Sequence, residues 1–103
     1  MAEELSHPPG AITTREELEN CIILGLPVWI GHLSEQLVTE RTPLKIVHNS
    51  RGVHINFDYS GRRLDEILNG LPMSDYAKGY VERIFRTEED AQLAVHQYKK
   101  DKA

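Results

Sequence analysis

The sequence lacks most of the features by which the chemistry of a small protein can be recognised. Its only cysteine, Cys21, allows no intramolecular disulfide and no zinc site built from paired cysteines. It contains no glycine-rich phosphate loop, no G-x-S-x-G, no H-E-x-x-H and no pair of carboxylates at a spacing that suggests acid–base catalysis. We therefore predict no catalytic residue, no metal site and no cofactor, and hence a protein that is not an enzyme.

Long apolar runs are also missing. The longest one, from Cys21 to Leu33, is interrupted by glycine, proline and histidine and is too short to span a bilayer. No basic stretch followed by an apolar one stands near the N-terminus, so we expect no secretory signal, no membrane partner and a cytoplasmic location. Cys21 lies inside the apolar run CIIL, which predicts a buried thiol with a raised pKa rather than a nucleophile.

The chain has the size and composition of a single globular domain. Its 103 residues, 40% apolar and 27% charged, suffice for one hydrophobic core. Residues 1–11 contain the run His-Pro-Pro-Gly and predict a flexible N-terminal arm, which leaves residues 12–103 as one α+β domain. The net charge of −4 disfavours a protein that coats nucleic acid with its whole surface, although residues 41–63 are locally basic.

Residues 42–61 carry the clearest structural signal. Residues 53–59 alternate apolar and polar side chains with the period of two that is typical of a half-buried strand. Residues 44–47 form a shorter strand before them, and Gly52 can take the positive φ of a tight turn. We therefore predict a central antiparallel β-hairpin whose apolar face is covered by helices.

Two helices are predicted before this hairpin. Thr14 and Glu17 form a capping box at the start of the first helix, which ends at Gly25. Pro27 suits the first turn of a second helix, which we expect to run to about Glu40.

Two further helices are predicted after the hairpin. Ser60 can cap a short one over GRRLDEILN, and Thr87 begins the last one, TEEDAQLAVHQYKK. Residues 80–86 fit either a helix or a third strand beside the hairpin, and their aromatic and β-branched side chains favour the strand. The predicted fold class is α+β, with two N-terminal helices, a central hairpin of two or three strands, and C-terminal helices.

The polar and basic residues of the hairpin region are the predicted binding surface. The candidates are Lys45, His48, Arg51, His54, Arg62 and Arg63. The same basic residues also fit a solvated edge, because lysine and arginine discourage association between strands. Pairing within the hairpin could bring the two histidines together as a titrating or metal-binding pair, but no third ligand is evident and exposed histidines are the simpler interpretation.

The order of elements suggests a second kind of partner. A helix, a turn through residues 24–27, a second helix and a hairpin resemble the core of a winged helix-turn-helix domain. The resemblance implies a DNA-binding regulator that uses residues 27–63, with the second helix as recognition helix and the hairpin as a wing on phosphate. That helix would offer His32, Gln36 and Thr39 to base edges.

The function that the sequence favours is a small non-enzymatic protein-binding or regulatory module whose partner is another protein or a second copy of itself. It is favoured by the absence of catalytic motifs and by aromatic residues such as Trp29, of the kind that anchor protein interfaces. DNA binding is the alternative, with nucleic acid as the second choice of partner.

Overall fold

The computed structural model describes residues 7–74, 76 and 78–102. These residues form an α+β fold of three α-helices and two three-stranded antiparallel sheets, which confirms the predicted fold class. The elements are, in chain order, α1 (Arg15–Leu24), β1 (Val28–His32), a 3-10 helix (Leu33–Glu35), β2 (Leu37–Arg41), β3 (Pro43–Asn49), β4 (Gly52–Phe57), β5 (Gly61–Arg63), α2 (Leu64–Asn69), β6 (Glu82–Phe85) and α3 (Glu88–Lys102).

The first sheet brings together strands from distant parts of the chain, in the order β2-β1-β6. Ile30 of β1 pairs with Ile84 of β6, and both side chains belong to the core between the two sheets. The opposite face packs against α3, where Phe85 and Val95 form a second core cluster. A Cβ atom at Gly31 would lie 3.0 Å from the Phe85 ring, so the glycine permits this close packing.

The second sheet contains the predicted hairpin as β3 and β4, with β5 on the other side of β4. Ile55 and Phe57 of β4 are buried and pack with Leu18 of α1 and Ile67 of α2. The strand predicted within residues 80–86 is confirmed as β6. Its expected place beside the hairpin is wrong, because it pairs with β1 in the first sheet.

The second N-terminal helix, predicted over residues 27–40, is wrong. The chain there forms β1 and β2, an antiparallel pair joined through the 3-10 helix and a left-handed residue, Gln36, with φ 58°. β-branched and aromatic side chains in both segments suit strands. The pairing partner that completes the sheet, β6, lies more than forty residues further along the chain, so the local apolar pattern cannot report it.

Most of the predicted helix boundaries are confirmed. The side chain of Thr14 accepts a hydrogen bond from the backbone N–H of Glu17, and Gly25 ends α1 with φ 67°. Thr87 accepts in the same way from the N–H of Asp90 at the start of α3. The prediction that Ser60 caps a helix is wrong, because residues 61–63 form β5 and α2 begins without a side-chain cap.

The segment before α1 runs along β6. The N–H of Ile12 donates to the carbonyl of Ile84, and the N–H of Arg86 donates to the carbonyl of Gly10. Residues 1–6, the larger part of the predicted arm, lie outside the described residues. Within the described part, no helix combines the length and apolarity that a membrane crossing requires.

Candidate functional site

The predicted basic surface is divided between the two faces of the second sheet. Arg62 pairs with the core residue Ile55 and is buried, whereas Arg63 pairs with His54 on the opposite face. Lys45 is exposed and, two positions along the ladder from His54, lies on that same face. This face therefore brings together three of the six predicted residues.

The other two predicted residues lie elsewhere on the hairpin. Arg51 is exposed at the turn, where its carbonyl accepts from the guanidinium of Arg63 at 2.8 Å. His48 pairs with Val53, one position along from His54 in the ladder, so the two histidines point to opposite faces and form no pair. Among the described residues, no group of three metal-ligating side chains is found.

The residues assigned to a DNA recognition helix lie in strands and a turn. Gln36 is exposed and its side chain donates to the carbonyl of Leu33 at 2.8 Å. His32 of β1 is buried, and its Nε2 lies 2.9 Å from Oγ1 of Thr39 on β2. The structure therefore contains no recognition helix within residues 27–40.

Arg62 belongs instead to a buried ion pair that connects the two sheets. Its Nε donates to Oε1 of Glu82 at 2.5 Å and its Nη2 donates to Oε2 at 3.1 Å, a bidentate arrangement. Glu82 is fully buried in β6. The ring of Tyr76 covers the guanidinium, with the Arg62 Cζ atom 4.8 Å from the ring centroid.

The carboxylate of Glu82 has two further partners. The hydroxyl of Tyr80 donates to it, and Nδ1 of His32 lies 3.0 Å from Oε2. Burial alone would raise the pKa of Glu82, but hydrogen bonds from His32, Arg62 and Tyr80 outweigh burial and hold it at about 2. Burial and the adjacent carboxylate raise the pKa of Tyr80. Glu82 is thus a stably ionised group inside the protein.

The groups Thr39, His32 and Glu82 follow one another in the order hydroxyl, imidazole, carboxylate. The separations are 2.9 and 3.0 Å, and the order is that of a catalytic triad. The charge of Glu82 is already neutralised by Arg62, however, and Thr39 lies half-buried in the middle of a strand. We therefore interpret the cluster as a structural network that joins β1, β2, β5 and β6.

Exposed apolar side chains concentrate around the end of α1. Ile23 is 77% exposed, Leu24 is 68% exposed and Leu26 is 46% exposed. On the neighbouring strand β3, Leu44 is 52% exposed. We call these four residues the α1 surface. Four consecutive apolar residues, CIIL, extend most of the way around a helix, so some of them must face away from the core.

A groove runs between α1 and β3, with a volume of about 340 Å³. Its apolar part is formed by Ile22, Ile23, Leu44 and Ile46, and its charged part by Arg15, Glu19 and Lys45. Arg15 and Glu19 form an ion pair at 2.9 Å, whereas Lys45 forms none with the described residues. A second groove of about 270 Å³ lies on the other side of α1 and includes Leu24 and Leu26.

Comparisons of the chain with protein-family models, with curated proteins and with solved structures found no match. The function is therefore inferred from the surfaces of this chain alone. The sequence held a usable signal for the α1 surface, because the run CIIL is too apolar for a helix that buries one face. It held no local signal for the ion pair, whose members Arg62 and Glu82 are twenty residues apart.

Proposed function

We propose that the chain is a small, non-enzymatic protein-binding module that binds its partner through the α1 surface. The observation that carries the proposal is the exposure of Ile23 and Leu44 on the two sides of the groove between α1 and β3. Leu24 and Leu26 extend the exposed apolar surface around the end of α1. Single exposed apolar residues are ordinary on a protein surface. A cluster with charged residues along its margin is typical of an interface.

The contact should be made by side chains rather than by strand addition. β3 is an edge strand of its sheet, it begins at Pro43, and its pairing register shifts between Pro43 and Lys45. Proline, an irregular register and an edge lysine all discourage the pairing of another strand. We infer that the partner places an apolar helix face into the groove beside α1.

A second copy of the chain is the first partner to test. Its own α1 offers exposed apolar residues of the size that the groove accepts, and a two-fold interface brings the same surface to both sides. The charges are also complementary, because α1 of one copy carries three glutamates and one arginine and would meet Lys45 at the groove margin of the other copy. Lys45 has no ion-pair partner among the described residues.

The test compares Ile23→Lys with the matched control Leu93→Lys. Leu93 is 55% exposed on α3, away from the groove, so both changes add a charge at an exposed apolar position. Sedimentation velocity over a range of concentrations should show association of the wild type and of Leu93→Lys. Loss of one fully buried isoleucine contact, about 1.5–3 kcal/mol, should weaken association by Ile23→Lys at least tenfold.

Two results would contradict this proposal. One is association of Ile23→Lys that equals that of the wild type. The other is a wild type that stays monomeric and, used as bait, retains no protein that Ile23→Lys loses and Leu93→Lys keeps. Thermal unfolding of both variants checks that neither change alters the fold.

A second candidate function is nucleic-acid binding by the face of the second sheet opposite Ile55. It is favoured by the shared placement of Lys45, His54 and Arg63 on that face, with Arg51 at the adjacent turn. Anisotropy of labelled duplex DNA should then rise at low salt and fall steeply toward physiological salt, because binding releases counterions. Lys45→Glu and Arg51→Glu should reduce both the affinity and the salt slope, and absence of binding at low salt would exclude this candidate.

A further inference from the structure

Arg83 of β6 is a buried guanidinium that has no carboxylate partner among the described residues. Its side chain is 6% exposed, and it follows Glu82 in the strand, so it points to the opposite face of the sheet. Its Nη2 lies 2.7 Å from Nδ1 of His7, while its Nε is buried and has no hydrogen-bond partner within residues 7–74, 76 and 78–102. The ion pairs of the described residues do not include it.

Such an arrangement is unfavourable for the protein alone. A guanidinium stays protonated in proteins, so burial leaves a charge that must be compensated. Burial lowers the pKa of Arg83, because removal from water disfavours the charged form. Buried donors without a partner are uncommon in folded proteins, and a bound ion is one of their ordinary explanations.

The neighbouring arginine shows what the missing partner should be. Arg62 uses Nε and Nη2, the two donors on one edge of the guanidinium, to bind both oxygens of Glu82. In the part of the chain that the structure describes, the same two atoms of Arg83 bind no carboxylate. Nη2 contacts an imidazole, and Nε has no hydrogen-bond partner there. This edge has the spacing that suits a carboxylate bound through both of its oxygens.

A glycine beside Arg83 leaves room for the guanidinium. Gly70, which ends α2 with φ 68°, lies so close that a Cβ atom there would stand 2.6 Å from Nη1 of Arg83. Any larger residue at position 70 would displace the guanidinium. On the other side the contact is His7, an exposed residue whose ring a ligand could displace.

We propose that Arg83, with His7 beside it, is a binding site for a carboxylate group. The carboxylate replaces the imidazole at Nη2 and supplies the partner that Nε does not find among the described residues. It belongs either to a small organic acid or to an acidic group of a bound protein. The site uses none of the residues of the α1 surface, so it does not depend on the protein-binding proposal.

The test follows the arginine Nε–H signals by NMR in the full-length, ¹⁵N-labelled chain. Sodium acetate is added against sodium chloride at matched ionic strength. The Arg83 signal, assigned by its loss in Arg83→Met, should shift and saturate with acetate. The Arg62 signal is the internal control, and it should stay in place because its Nε already binds Glu82.

Thermal unfolding provides a second measurement. Acetate should raise the Tm of the wild type above the chloride control, because a ligand that binds the folded state stabilises it. Arg83→Met should fold, since an apolar side chain replaces an uncompensated charge, and it should lose the acetate effect. A short acidic peptide distinguishes a small organic acid from an acidic group of a bound protein, with its amidated form as the control that lacks the carboxylates. Action of the peptide at a lower concentration than acetate indicates a protein carboxylate.

Three outcomes would overturn the proposal. The Arg83 signal does not move beyond the chloride control, or Arg62 and Arg83 shift alike, or Arg83→Met keeps the rise in Tm. A shift of the Arg83 signal on substitution of Glu3 and Glu4 by glutamine, without any effect of acetate on the wild type, would also overturn it. The chain itself would then supply the carboxylate.

Discussion

Replacing Arg62 by methionine should reveal how strongly the fold depends on the ion pair between the two sheets. Methionine keeps an unbranched side chain but removes the two donors that bind Glu82 at 2.5 and 3.1 Å. The fully buried carboxylate would keep only Tyr80 and His32 as partners. Removing one member of a buried ion pair typically costs about 3–5 kcal/mol, because it leaves the other charge uncompensated.

The pKa of Glu82 gives a similar value for the contribution of its interactions to the free energy of unfolding. It lies at about 2 in the folded protein, against 4.5 for the ordinary carboxyl, and that gap corresponds to roughly 3 kcal/mol of stability at neutral pH. Because the folded-state pKa is the lower one, this contribution is present above about pH 4.5 and is lost as the pH falls toward 2. A domain of this size is stable by about 5–15 kcal/mol, so the variant should still fold at neutral pH.

Urea unfolding at pH 7 measures the effect, with fluorescence of the single tryptophan, Trp29, as the signal. Trp29 packs against the core beneath α3 and should report the loss of tertiary structure. With a urea dependence of about 1–3 kcal/mol per molar, the midpoint for Arg62→Met should fall by roughly 2 M. The double variant Arg62→Met/Glu82→Met should recover most of the loss, since an apolar pair can replace a buried ion pair at little cost.

Two results would contradict this prediction: a loss of less than about 1 kcal/mol of unfolding free energy in Arg62→Met, or a double variant that is no more stable than the single one. The difference between the wild type and Arg62→Met should also shrink from pH 7 to pH 3, because protonation of Glu82 removes the uncompensated charge. A difference that stays constant with pH would mean that lost packing, and not charge, is responsible.

Three smaller predictions concern single side chains. Thr14→Ala removes the acceptor for the N–H of Glu17 and should lower the free energy of unfolding by about 1 kcal/mol, whereas Thr14→Ser should not. Tyr80→Phe removes a hydroxyl that donates to Glu82 and should cost about 1–3 kcal/mol by the same urea assay. Because burial raises the pKa of the Cys21 thiol, alkylation of the native protein should be slower than that of a free thiol at neutral pH. Equal rates would show that the thiol is not shielded.

Local features of the sequence determined the helix boundaries and the hairpin. Thr14 and Thr87 begin helices because each hydroxyl accepts from an N–H three residues later, and Gly25 ends one because it takes a positive φ easily. The alternation in residues 53–57 places Ile55 and Phe57 on the buried face. All of these interactions act over a few residues, which is why the sequence alone predicts them.

For residues 27–40, the local sequence pattern predicts the wrong secondary structure. Their apolar spacing fits a helix, yet they form two strands because β6 supplies the hydrogen bonds and the buried neighbours on the other side of β1. A strand gains its stability from partners that are distant in the sequence, so its propensity depends on context. The recognition helix implied by the winged helix-turn-helix resemblance is absent for the same reason, because residues 28–32 and 37–41 are strands.

The residues of the candidate site also divide into features that depend on the local sequence and features that depend on long-range contacts. The basic character of residues 41–63 is evident from the sequence alone, and so is the run CIIL, which is too apolar for one helix face. The burial of Arg62 against Glu82 and the exposure of Lys45 follow from the tertiary structure. So does the burial of Arg83 with no carboxylate partner among the residues described. Charge is a property of a residue type, but its effect depends on burial and on partners, and folding brings those partners from distant parts of the chain.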